Sequence, residues 1–346
     1  MAICRWTTAG LAVCLVAAAS CSDNARPGSD PGEQSAGETW QGTGPIQVVA
    51  TTGMVADIVR HVGGPHVEVE QICGSGVDPH LYKPTRDDVH SITGSDFVFY
   101  SGLMLEGKMS DSLVKVARSR PVVAVTEVID PGQLLEPEDS AGHDDPHVWM
   151  DVQAWSQCVE AVSQALAEFD PPRAADYQSN ARAYMAELKK LHQYGQDCIA
   201  TIPAASRVLI TSHDAFNYFG RAYGLDVQGI QGLSTESEAG LQRINQLVDQ
   251  LVDQQVAAVF VESSVSPKNI EALVEGAHSR GHDVVIGGEL YSDAMGAPGT
   301  YEGTYVGMLD HNITTVTRAL GGTAPERGLH GKLTQAGESG QRPPHP

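Results

Sequence analysis

Short apolar runs alternate with longer stretches in which apolar positions recur every three or four residues, and this alternation organises the chain from about residue 46 to residue 321. The short runs predict strands at 46–51, 67–72, 97–100, 122–124, 207–211, 257–261 and 284–286. The periodic stretches predict helices at 53–62, 86–93, 152–168, 215–223, 267–280 and 304–320. Two helix starts are chemically marked. Thr85 ahead of Arg86-Asp87-Asp88 reads as a capping box with Asp in place of Glu, and Ser266-Pro267 puts proline at a first helical position. Strands alternating with helices imply parallel sheets flanked by helices, the α/β class.

One stretch breaks the alternation. Residues 172–200 hold no strand and no strong helix breaker before Gly195, and Tyr177, Ala181, Tyr184, Leu188, Leu191 and Cys198 fall on one helical stripe. A helix of that length spans roughly 40 Å at ~1.5 Å per residue. The pattern therefore predicts two α/β lobes, 46–170 and 201–321, joined by one long rigid helix over 171–200 with a cleft between them. A coiled-coil partner for that helix is the competing reading.

The ends of the chain differ in composition. Residues 9–19 are small and apolar after Arg5, which reads as the core of a secretory signal and is too short for a membrane span. The sequence Ala18-Ala19-Ser20-Cys21 resembles the bacterial lipobox, with Ala18 where Leu is commoner, so Cys21 is the expected lipidation site and new N-terminus. Lipidation would hold the protein at a membrane surface without a transmembrane segment, in the periplasm or on the cell surface. Residues 22–45 read as a polar tether and residues 322–346 as a disordered tail.

Charge and cysteine usage narrow the chemistry. The chain has 43 acidic and 22 basic residues, a formal net charge of −21. Such a surface repels nucleic acid and attracts cations, although solubility alone is an alternative reason for it. Without the signal and Cys21, three cysteines remain, Cys73, Cys158 and Cys198, and no CxxC pair argues for a thiolate cluster. Cys158 and Cys198 lie on neighbouring predicted helices and are candidates for a disulfide.

Candidate ligands sit where strands give way to helices. Asp-Pro-His occurs twice, at Asp78-Pro79-His80 and Asp145-Pro146-His147. Proline holds each His on a stiff bend, and the bland alternative is two ordinary turns. His213 follows the predicted strand 207–211, and Asp293 follows the strand 284–286. In open α/β sheets, ligands bind beyond the carboxyl ends of strands. Two donors from each lobe would thus meet in the cleft. His90, His192, His278, His282 and His311 are expected on solvated helix faces, His143 in an exposed acidic loop, and Gly287-Gly288 at a turn.

Segments 76–85, 145–151 and 212–216, with Ser292-Asp293, Val261-Glu262-Ser263-Ser264 and Gly303-Thr304-Tyr305, resemble those of metal-binding solute-binding lipoproteins of ABC importers, the TroA/ZnuA type, over nearly all of residues 48–320. The resemblance implies that His80, His147, His213 and Asp293 bind a divalent metal ion, that a long helix joins two domains, and that a membrane permease receives the ion. A monomer is expected. Three imidazoles and a carboxylate suit first-row ions better than Ca²⁺ or Mg²⁺. In the family, His at the third ligand position goes with zinc receptors and with some that take both metals, whereas Glu goes with manganese. Zn²⁺ is therefore the expected ion, with Mn²⁺ the alternative because the acidic loop 136–145 is short and holds one His. Glu262 and Asp151 are candidates for orienting the imidazoles, with helix capping or solvation as the ordinary role.

Two rival functions remain at this level. A secreted zinc hydrolase needs an open coordination position and a general base, whereas Asp293 would fill the fourth place here and no His-Glu-x-x-His occurs. A metal-binding surface adhesin is hard to separate from an importer receptor by sequence.

Overall fold

The computed structural model describes residues 39–137 and 142–334. The expected signal segment, Cys21, most of the tether and residues 335–346 lie outside the described residues. The first lobe contains β1 (Ile46–Ala50), α1 (Gly53–Gly63), β2 (Val67–Gln71), α2 (Arg86–Gly94), β3 (Phe97–Tyr100), α3 (Ser110–Val116), β4 (Val122–Ala124) and α4 (Val152–Phe169). Its sheet runs β2-β1-β3-β4, with every neighbouring pair parallel. The central strand β1 is covered on both faces and is accordingly almost wholly apolar. The edge strand β2 alternates, with Val67 and Val69 half-buried and Glu68 and Glu70 exposed. Thr85 forms the expected capping box with Asp88 at the start of α2. Parallel pairing gathers all four carboxyl ends at one edge, and the loops that follow them carry His80 and His147.

After α5 (Ala174–Ile199) the second lobe contains β5 (Val208–His213), α6 (Asn217–Tyr223), β6 (Asp226–Gln231), α7 (Leu241–Gln254), β7 (Ala258–Glu262), α8 (Lys268–Ser279), β8 (Val285–Leu290) and α9 (Tyr305–Ala319). Strands β5 and β6 pair in parallel, as do β7 and β8, and β5 lies beside β7. Gly287-Gly288, expected at a turn, lies inside β8 next to an irregularity in its pairing with β7. A Cβ on Gly287 would stand 2.8 Å from the Ala319 methyl, so the strand's close approach to α9 is what requires glycine there.

The two lobes and the linking helix share one core. Side chains from α1 and α4, from α5, and from α6 and α9 form a single buried apolar cluster, while smaller clusters lie under α7 and α8 and under α2 and α3. Helix α5 has 26 residues and its stripe is buried at Tyr177, Ala181, Tyr184, Leu188 and Leu191. At ~1.5 Å per residue it is about 39 Å long. Gly195 does not end it. A Cβ there would come within 2.6 Å of the Tyr223 ring, so this glycine lets α6 pack tightly on the spine. Buried hydroxyls fasten the helix to both lobes: Tyr184 donates to Asp57 at 2.6 Å, and Tyr194 shares a 2.8 Å hydrogen bond with Thr314.

Several expectations change. Elements α3, β6 and α7 were not among those predicted. Cys73, Cys158 and Cys198 are all free and buried, so Cys158 and Cys198 are not bridged. Their burial pushes all three thiols up in pKa. The segment 322–334 packs instead of fraying: Ala324 and Leu333 are buried, and the Leu329 amide donates to Asp310 at 2.9 Å. At the other end, the Trp40 amide donates to the Phe169 carbonyl, so the last part of the tether is also anchored.

Candidate metal centre

Each Asp-Pro-His turn is closed by its own aspartate. Asp78 Oδ1 accepts from the His80 amide at 2.8 Å, and Asp145 Oδ1 accepts from the His147 amide at 2.9 Å. Asp145 Oδ1 also accepts a hydrogen bond from the His147 ring at Nδ1, 2.8 Å away. A carboxylate only accepts, so this bond makes Nδ1 the donor and turns Nε2 toward the cleft. His213 is the last residue of β5 rather than the first of a helix, and α6 begins at Asn217. Its amide donates to Glu262 Oε1 at 2.9 Å and its Nδ1 to Glu262 Oε2 at 2.5 Å. Glu262 ends β7, so the pairing of strand ends positions this imidazole.

Asp293 follows β8 in a turn joined to the His147 segment. Trp149 Nε1 donates to the Ser292 carbonyl at 2.9 Å, and Tyr305 donates to the Trp149 carbonyl at 2.8 Å. The Trp149 ring stands edge-on to His147 with centroids 5.2 Å apart.

The structure brings His80, His147, His213 and Asp293 together, with one donor atom from each lying within 4.8 Å of every other. Nε2 of His80 is 3.3 Å from Nε2 of His147, and that of His147 is 3.4 Å from Asp293 Oδ1. Asp293 Oδ2 lies 3.2 Å from His213 Nε2 and 3.9 Å from His80 Nε2. Four donors at ~2.0–2.1 Å from a tetrahedral ion stand about 3.3 Å apart, so three of these four distances have the size of a first-row metal site and the His80–Asp293 distance is longer. His213 Nε2 and both Asp293 oxygens are buried without a hydrogen-bond partner. An imidazole nitrogen facing two carboxylate oxygens in a dry site is held either by a ring proton or by a bound cation.

The electrostatics agree. Burial lowers the His80 pKa to about 4 and leaves it a neutral donor. For His147, burial also opposes charge, but the Asp145 carboxylate outweighs it and raises the pKa to about 9. His213 is raised well above the ordinary value for the same reason, with Glu262 and Asp293 overcoming burial. Asp293 is held well below the carboxylate range: burial works against its charge, and His213 and His147 override it.

Of the two residues expected to orient imidazoles, Glu262 reaches His213 and Asp151 reaches none among the described residues. Asp151 Oδ1 instead caps α4 through the Gln153 and Ala154 amides, and its Oδ2 binds Arg221 at 3.0 Å. The residue that orients His147 is Asp145, and the signal was present in the tripeptide itself: an aspartate two positions before each His. His282, expected on a solvated face, is buried with Nε2 2.7 Å from the Val256 carbonyl, and His311 Nε2 lies 2.9 Å from the Glu289 carbonyl. His143 lines, with His80, Leu103 and Met104, a cavity of about 320 Å³ at the mouth of the cleft.

The comparisons agree with this architecture. A family model described as zinc-uptake complex component A, periplasmic (ZnuA), matches residues 48–319. The manganese-binding lipoprotein MntA of Bacillus subtilis (strain 168) is 48% identical over 275 residues, covering 80% of this chain and 90% of that protein. The zinc-binding protein TroA of Treponema pallidum (strain Nichols) is 46% identical over 273 residues, covering 79% and 88%. The solved structure of the periplasmic zinc-binding protein TroA from Treponema pallidum superposes with a TM-score of 0.78 at 45% identity, over 80% of this chain and 99% of that one. With the match spanning both lobes and the helix between them, this chain belongs to the zinc-uptake complex component A family.

Proposed function

We propose that the chain is an extracytoplasmic receptor that captures a divalent transition metal between its lobes with His80, His147, His213 and Asp293 and delivers it to the permease of an ABC-type importer. The observation that carries this is the convergence of four buried donors, three of whose atoms have no hydrogen-bond partner. Four protein donors fill a tetrahedral shell and leave no position for an attacking water, which suits capture and release rather than hydrolysis. Among the described residues no helix is long and apolar enough to cross a membrane. Attachment is assigned to a lipid on Cys21, and relatives are named as lipoproteins.

Zn²⁺ is the proposed ion and Mn²⁺ the alternative. Imidazole donors and three donor distances of near-tetrahedral length favour zinc, and at a given nitrogen and oxygen site zinc outbinds manganese. The named relatives divide between the two metals. The test is elemental analysis of the purified protein with Zn²⁺ and Mn²⁺ in competition, repeated for His213→Glu. One equivalent of zinc, moving toward manganese in the variant, supports the reading. Absence of stoichiometric transition metal from both the purified and the reconstituted protein overturns it.

A further inference from the structure

Two of the three imidazoles are braced by carboxylates, and the third is not. His147 is held by Asp145 and His213 by Glu262. Among the described residues, Nδ1 of His80 has no hydrogen-bond partner, and the Asp78-Pro79-His80 turn is held through its backbone, whose His80 amide donates to Asp78 Oδ1. The second oxygen of that carboxylate reaches across the cleft: Asp78 Oδ2 accepts from Thr235 Oγ1 at 2.5 Å. Thr235 lies in the segment between β6 and α7, and the next residue, Glu236, pairs with Lys108 of the first lobe at 2.5 Å. His80 is also the ligand that borders the 320 Å³ cavity, whose far wall is Gly232, Leu233 and Ser234 of that same segment.

We propose that the Thr235–Asp78 hydrogen bond is an interlobe latch that positions His80, making His80 the last ligand to close on the ion and the first to leave. This rests on the metal-site reading above. His147, His213 and Asp293 stay joined through the Trp149–Ser292 bond and their own carboxylates when the latch opens. Proline stiffens the Asp78-Pro79-His80 turn, so loss of the Thr235 bond frees the turn as a unit. The imidazole then has a cavity to move into, and the ion keeps three donors until it is passed on.

The test is stopped-flow release of Zn²⁺ to a chelator from the full chain, alongside zinc stoichiometry and association rate. Thr235→Val, which keeps the shape and removes the hydroxyl, is expected to bind one zinc, associate at the wild-type rate and release it ~10-fold faster, the low end of what a lost supporting contact costs a metal site. Thr235→Ser restores the wild-type rate. In a His80→Ala background, Thr235→Val changes nothing, because the latch acts through His80. Release from Thr235→Val at the wild-type rate with one zinc bound overturns the latch, as does an acceleration that persists without His80. Should Thr235→Val not fold, Thr235→Ala is read by the same criteria. A wild-type protein that holds neither zinc nor manganese overturns the metal reading itself, and the latch with it.

Discussion

The two Asp-Pro-His turns begin alike and end differently. In both, the aspartate accepts from the histidine amide two residues on, and in both its second oxygen binds a side chain of the other lobe, Thr235 for Asp78 and Asn217 for Asp145. Only Asp145 also accepts a hydrogen bond from the ring. Asp145 is fully buried, its amide donates to the Leu135 carbonyl at 2.7 Å and its carbonyl accepts from Tyr218 at 3.0 Å, whereas Asp78 is half-buried at the rim. Identical tripeptides therefore deliver one stiff ligand and one releasable ligand. The turn is local chemistry, but its rigidity comes from what α6 presses against it.

The sharpest way to break this comparison is to remove each imidazole in turn. His147→Ala should lower zinc affinity by more than the ~10–100-fold that loss of a supporting carboxylate costs, and by more than His80→Ala does. Chelator competition gives both values, and equal losses would erase the distinction. One step smaller, Asp145→Asn is expected to cost ~10–100-fold and Asp78→Asn less than ~10-fold, because only the first supports a ring nitrogen directly. A reversed order, read by the same titration, would mean that the backbone turn matters more than the ring.

The smallest effect is in protons. With its pKa raised to about 9, His147 is protonated at pH 7 in the metal-free protein, whereas His80, lowered to about 4, is neutral. Metal must displace the proton on His147, so its contribution makes apparent affinity rise with pH up to about 9 and level off above it. His213, also raised, adds a second proton, and two protons exchanged for a divalent ion conserve charge. Calorimetry in two buffers of different ionisation enthalpy should show proton release cut by about one in His147→Ala and unchanged in His80→Ala.

Much of this was legible in the sequence, and the failures have physical reasons. Parallel strands, the long helix and the placement of His80, His147, His213 and Asp293 at strand ends follow from apolar periodicity and from where proline and aspartate interrupt it. Strand β6 escaped because Asp226-Val227-Gln228-Gly229-Ile230-Gln231 has only two apolar residues, set among three polar ones and a glycine, and so shows neither an apolar run nor a period of two. Helix α7 carries Leu247, Val248 and Leu251 on its buried face but starts after Gly240 with no side-chain cap to announce it. Gly195 misleads because a glycine chosen for close packing looks like one chosen to end a helix. Thr235 could not be found at all, since its partner lies 157 positions away and nothing in either segment encodes the pairing.

The single apolar cluster running from α1 and α4 through α5 to α6 and α9 constrains how such a receptor can change over generations. Lobes with separate cores can be exchanged between relatives like cassettes, but a lobe grafted here would have to match half of someone else's interior. New metal preferences are therefore expected to arise by single replacements at strand ends and in the loops after them, where His213 and Thr235 stand, while the shared interior is inherited whole.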